Sequence, residues 1–158
     1  MSGDLWQRAR FMTGLILTVA RRALPRRAAP IEDDEPLIEA LQSGDISTLD
    51  RHGRNLVLGR NRLGTPWFFI ALETGSLASV EWFVAQGANP SVPDQSGRLP
   101  LEAVIQRAAL DDEFDDHLAD CPEMLVCLVA AGGDLQARCV QGVRLAELAH
   151  SAGLTLAE

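Results

Sequence analysis

Tyrosine and lysine are missing from this 158-residue chain, and aromatic residues make up only 5% of it. All 14 basic residues are therefore arginines, beside abundant alanine and leucine, a bias that reads as genomic base composition more than mechanism. Three cysteines, Cys121, Cys127 and Cys139, are too few and odd in number for a disulfide framework, so a reducing cytoplasm is the expected setting. Cys127 sits in an apolar run and is expected in the core. The longest uninterrupted apolar stretch near the amino terminus, Phe11 to Ala20, is half the length a membrane-spanning helix needs. No glycine-rich phosphate loop, nucleophile elbow or metal motif is present, and His52, His117 and His150 are widely scattered. The chain is thus expected to be non-enzymatic, with no cofactor and no metal.

Charge is plentiful but divided. The net charge is −8, yet residues 1–30 hold six arginines against Asp4, a net of +5, while residues 31–158 hold eight arginines against 21 acids, a net of −13. A body this acidic repels nucleic-acid phosphates instead of neutralising them, so no DNA or RNA partner is expected.

What the sequence does contain is glycine at regular intervals. Gly87 is followed ten residues on by Gly97, and Gly132 ten residues on by Gly142, each pair after an apolar helical run. Gly64 precedes Gly97 by 33 residues. A recurrence of that length marks stacked helical units that bury their apolar faces only against neighbours. Pro36, Pro66 and Pro100 fall at or near helix starts, where a missing N–H costs nothing. Gly44, Gly75, Gly87, Gly132 and Gly153 follow helical runs, where a left-handed residue is expected to close each helix. Asn89-Pro90 and Pro93-Asp94 are turn chemistry.

Gly75-Ser76-Leu77, Val80, Trp82-Phe83-Val84, Gly87-Ala88-Asn89-Pro90 and Asp94-Gln95-Ser96-Gly97-Arg98-Leu99-Pro100-Leu101 resemble the ankyrin repeat family. Leu99-Pro100-Leu101-Glu102 keeps the Pro and Leu of the family's Thr-Pro-Leu-His and loses the Thr and His, and Thr65-Pro66 stands one place early. The resemblance implies an all-α, ankyrin-type solenoid of about four helix-turn-helix units, preceded by an amphipathic amino-terminal helix. The units fall at about 33–63, 64–96, 97–141 with an acidic insertion at 110–123, and 142–158 as a cap, together forming a domain over 31–158. It also implies that first helices and loop tips meet a partner, while second helices line the outside.

Residues 1–30 are expected to form an Arg-rich amphipathic helix and linker. Leu5, Ala9, Met12, Ile16, Val19 and Ala23 make an apolar stripe at helical spacing, with arginines mostly off it. Three uses fit: a cap on the first unit, an interfacial helix giving peripheral membrane contact through residues 5–24, or an export signal.

The candidate partner-binding residues follow from the loop tips, first helices and insertion. They are Arg60, Arg62, Asp94, Gln95 and Gln141 at the tips, and Trp67, Phe69 and Glu73 on a first helix, with Glu39, Glu102, Gln106 and Glu147 also expected at the surface. In the insertion they are Asp111, Asp112, Glu113, Asp115 and Asp116. Trp67 and Phe69 serve equally well as interface anchors or as core. Seven acids within thirteen residues read as an exposed, mobile loop, and three uses fit it: steering a basic or mixed-charge protein, holding a hard cation through carboxylate oxygens although calcium-loop spacing is missing, or a solvated excursion with no partner. The expected function is a protein-interaction scaffold, adaptor or regulator. Alternatives are an acidic immunity-type inhibitor of a basic toxin or enzyme, and a membrane-surface tether.

Overall fold

The structure, a computed structural model, describes residues 34–110 and 113–155. The amino-terminal stripe at residues 5–24, along with Asp111 and Asp112, therefore lies outside the described residues. Those described are all-α: α1 (Glu35–Ser43), α2 (Ile46–His52), α3 (Arg54–Leu58), α4 (Trp67–Thr74), α5 (Leu77–Ala85), α6 (Pro100–Ala108), α7 (Cys121–Ala130) and α8 (Leu145–Ser151), with one 3₁₀ turn at Leu118–Asp120. Among the described residues no helix is long and apolar enough to cross a membrane.

The helices form two layers. One holds α1, α4, α6 and α8, each packed on the next; the other holds α2 and α3, then α5, then α7. Within each pair, α1 packs on α2, α4 on α5 and α6 on α7. Helix α4 reads Trp-Phe-Phe-Ile-Ala-Leu because it lies between α1 and α6 and under α5, so Trp67 through Leu72 are all buried. Phe83 of α5 is fully buried, 5.5 Å from the Phe68 ring and edge-on to Trp82. Trp82 is packed as its sequence position implies, and its Nε1–H donates to Asp50 Oδ1 at 2.6 Å.

Local chemistry sets the ends of the elements. Pro100 opens α6, while Pro66 is the residue before α4, so the one-place offset in the sequence is a real offset in the helix start. Gly87 takes φ +91 and closes α5, with Ala88 N–H donating to Phe83 O, as a left-handed cap requires. Gly75 departs from the expected pattern. Its φ is −82, and glycine is present because a Cβ there would stand 2.6 Å from Ala71 O. The weakly apolar stretch from Asp45 to Arg60 becomes two short helices broken at Gly53. Cys127, expected in the core, is half-buried; Cys121 and Cys139 are the buried thiols.

Candidate functional site

Three hairpin loops join successive pairs, and they are built on one plan. In each, a residue donates its N–H four residues on and accepts a bond from the following glycine. Asn61 N–H meets Thr65 O at 2.9 Å, Asp94 N–H meets Arg98 O at 2.9 Å, and Cys139 N–H meets Val143 O at 2.8 Å. Gly64, Gly97 and Gly142 close the turns at φ +86, +85 and +84, conformations that L side chains rarely adopt. In the first two loops a side chain fixes the turn: Asn61 Oδ1 accepts from the N–H of Leu63 and Thr65, and Asp94 Oδ1 from those of Ser96 and Arg98. Cys139 has no such oxygen, and its thiol donates to Gln141 Oε1 instead.

Neighbouring tips lie close together. Gln95 donates to Gly64 O at 3.1 Å, and a Cβ on Gly97 would stand 3.8 Å from Val140 Cγ2. The result is a row of tips running Leu63, Gln95, Val140. Leu63 is 88% exposed and Val140 is 62% exposed.

Below the row, Arg98 organises a polar cluster. Its guanidinium bonds Glu73 and Asp94, approaches Gln106 Oε1, and lies 5.6 Å from the Phe69 ring centroid. These groups flank a cavity of about 190 Å³ lined by Gly64–Pro66, Glu73, Asp94–Ser96 and Arg98. Burial opposes ionisation of Asp94, but the bonds from Ser96 and Arg98 outweigh it and hold its carboxyl below the usual range. Two carboxylates share one guanidinium, so the cluster keeps a negative balance. Arg98 was not among the sequence candidates. Its place directly after Gly97 and four residues after Asp94 was the available signal.

The other candidates divide by burial. Glu73, Asp94 and Gln95 come together at the cavity. Arg60 donates to Gly64 O at 2.8 Å and lines a second depression of about 260 Å³ with Leu58, Phe68, Val92 and Pro93. Arg62 is exposed, its backbone N–H meeting Asp34 Oδ2, and Gln141 is exposed at the third tip. Trp67 and Phe69 are core, at 0% and 2% exposure, because α4 is flanked on both sides. Neither is available to a partner. Glu102, expected at the surface, is 1% exposed; one carboxylate oxygen accepts from Gln106 and the other has no partner.

The insertion is less free than its charge implied. Asp115 forms a two-pronged ion pair with Arg107, at 2.6 and 2.7 Å, and Arg107 is 3% exposed. Arg107 also donates to Leu72 O and Gly75 O, at 3.2 and 2.8 Å, where α4 ends. Its guanidinium hydrogen bonds hold the Asp115 carboxyl below the usual range. Glu113 and Asp116 remain exposed. His117 Nδ1 lies 3.1 Å from Asp120, and no group of three metal-binding side chains occurs among the described residues.

The chain matches no protein-family model and no curated protein.

Proposed function

We propose that this chain is an ankyrin-like repeat scaffold that binds another protein along its row of loop tips and the adjoining first-helix layer. The observation that carries the reading is the repetition of one hairpin three times, at Asn61, Asp94 and Cys139, with the first two tips joined by the Gln95 bond to Gly64 O and the third close beside Gly97. Stacked units present such tips as one extended surface, and extended surfaces of this kind serve macromolecular recognition. Paired layers of short helices between the hairpins support the same assignment. Leu63 and Val140 supply apolar anchors, Gln95 and Gln141 hydrogen-bonding edges, and the Glu73–Asp94–Arg98 cluster a negative bias. The partner suited to that combination is a protein with an apolar patch rimmed by basic side chains.

The test uses the full chain as bait against extracts of its native host, with proteins identified by mass spectrometry. A second bait carries Leu63→Asp, Gln95→Ala and Val140→Asp. All three positions are exposed, so the fold should melt unchanged while specific capture disappears. Equal capture by both baits would remove the loop tips from the interface and end this reading.

A further inference from the structure

The outer helix layer carries an apolar groove that the loop-tip reading leaves unused. Helix α7 is apolar on more than its core side. Cys121, Met124, Leu125 and Leu128 are buried, while Val126 is 54% exposed and Cys127 and Val129 are half-buried. A helix that is apolar beyond its core-facing stripe has a further face to cover. That face meets Leu77 of α5 and Leu154 beyond α8, and together with Pro122 and Leu125 they wall a depression of about 530 Å³. Glu81 and Glu123 stand exposed along it, and neither forms an ion pair among the described residues.

The chain itself contains a segment with the complementary pattern. Residues 5–24 combine an apolar stripe at Leu5, Ala9, Met12, Ile16, Val19 and Ala23 with Arg8, Arg10, Arg21 and Arg22. The described chain begins at Asp34, just before α1, so the nine residues 25–33 separate that segment from Asp34, and extended they span about 30 Å. Helix α1 packs on α2, α2 on α5 and α5 on α7, with each step about 8–10 Å between axes. The groove is therefore within reach. We infer that residues 5–24 dock in the groove between α5 and α7, apolar stripe against Leu77 and Val126, arginines toward Glu81 and Glu123. Charge selects this occupant over the acidic body of a second copy: residues 1–30 carry +5, and the rest of the chain carries −13.

Cys127 makes the docking measurable in the full-length protein, because it lines the groove while Cys121 and Cys139 are buried elsewhere. The readout is the rate of alkylation at each cysteine of the folded chain, resolved by peptide mass spectrometry at one fixed pH. Burial and the nearby Glu81 push the Cys127 thiol up, so the ratio between variant and parent is the quantity to compare. Ile16→Asp should raise the Cys127 rate about tenfold or more, with the other two thiols and the melting temperature unchanged. In a second full-length variant, Ile16→Cys, mild oxidation should yield an intramolecular 16–127 disulfide. An unchanged Cys127 rate together with no such cross-link overturns the docking. Protection that disappears on dilution assigns the groove to a second copy, and protection that appears only with anionic vesicles assigns the segment to a bilayer; either result also overturns it.

Discussion

The links inside the second and third helix pairs do the same job in opposite ways. From α4 to α5 the chain turns in two residues, Gly75 and Ser76, and Ser76 is anchored by its N–H on Leu41 O. From α6 to α7 it runs from Ala109 to Asp120 through the acidic insertion. The short link depends on the absence of a side chain, and the long one on a buried ion pair. Arg107 joins the two, since a single guanidinium holds the carbonyls that end α4 and the carboxylate that pins the insertion. Lengthening a loop costs little conformational entropy once its ends are held. The longer link is held midway by Asp115 and at its end by Asp120, whose Oδ2 accepts from the Leu77 N–H.

The sharpest way to break this comparison is to remove the shared residue. Arg107→Leu strands Asp115 and leaves two carbonyls without a donor, and losing one partner of a buried pair costs about 3–5 kcal/mol. Asp115→Asn, which leaves Arg107 its bonds to Leu72 O and Gly75 O, should cost clearly less. Urea unfolding of the two variants decides the matter. Equal losses would mean that Arg107 serves only the insertion and that the links are independent.

The short link has its own test. Gly75→Ala forces a Cβ to within 2.6 Å of Ala71 O, a backbone atom that cannot swing away, and overpacking of this kind costs about 1–3 kcal/mol. Gly87→Ala meets no atom within 4 Å and bears only the strain of φ +91, about 1 kcal/mol. Thermal melts should therefore rank Gly75→Ala below Gly87→Ala. The reverse order would show that the close approach to Ala71 O relaxes cheaply and does not select glycine at position 75.

The helical layers and the hairpins were legible because each rests on local rules. Gly97 announces positive φ, Pro93-Asp94 announces a turn, and the glycine pairs ten residues apart place the hairpins after helical runs. The sequence misled where a residue's neighbour is distant. Nothing local distinguishes Asp115 from Asp116, yet one pairs with a buried arginine and the other is solvated. Trp67 and Phe69 were ambiguous for the same reason, since the α1 and α6 neighbours that bury them are specified elsewhere in the chain. Glu102 was misplaced because its place on a first helix suggested surface, whereas the packing of α6 buries it. Among the candidates at the tips, Gln95 and Asp94 needed only their own turn to be placed, whereas Arg98 shows its role only once Glu73 is beside it.

Acid should separate the two links next. The folded Asp115 carboxyl lies below its ordinary value of 3.8, so its pairing stabilises the chain fully above that value and is lost as pH falls through the lower, folded-state value. Between pH 5 and the acid limit, the parent should lose more stability than Asp115→Asn, with Gly75→Ala tracking the parent. Parallel losses in parent and Asp115→Asn, followed by denaturant midpoints across the pH series, would show that other carboxylates dominate acid unfolding.

The smallest effect is expected at the solvated acids of the insertion. Glu113→Gln with Asp116→Asn removes two exposed charges that form no ion pair among the described residues, so stability should stay within about 0.5 kcal/mol of the parent. Their contribution, if the partner is basic, lies in the encounter: the on-rate should fall at low salt and its salt dependence flatten, while the dissociation rate stays fixed. Stopped-flow association at two ionic strengths separates the possibilities. A faster dissociation with an unchanged on-rate would place these carboxylates inside the contact rather than around it. The division of labour along the insertion would then be between two kinds of bound residue, and not between a pin and a solvated rim.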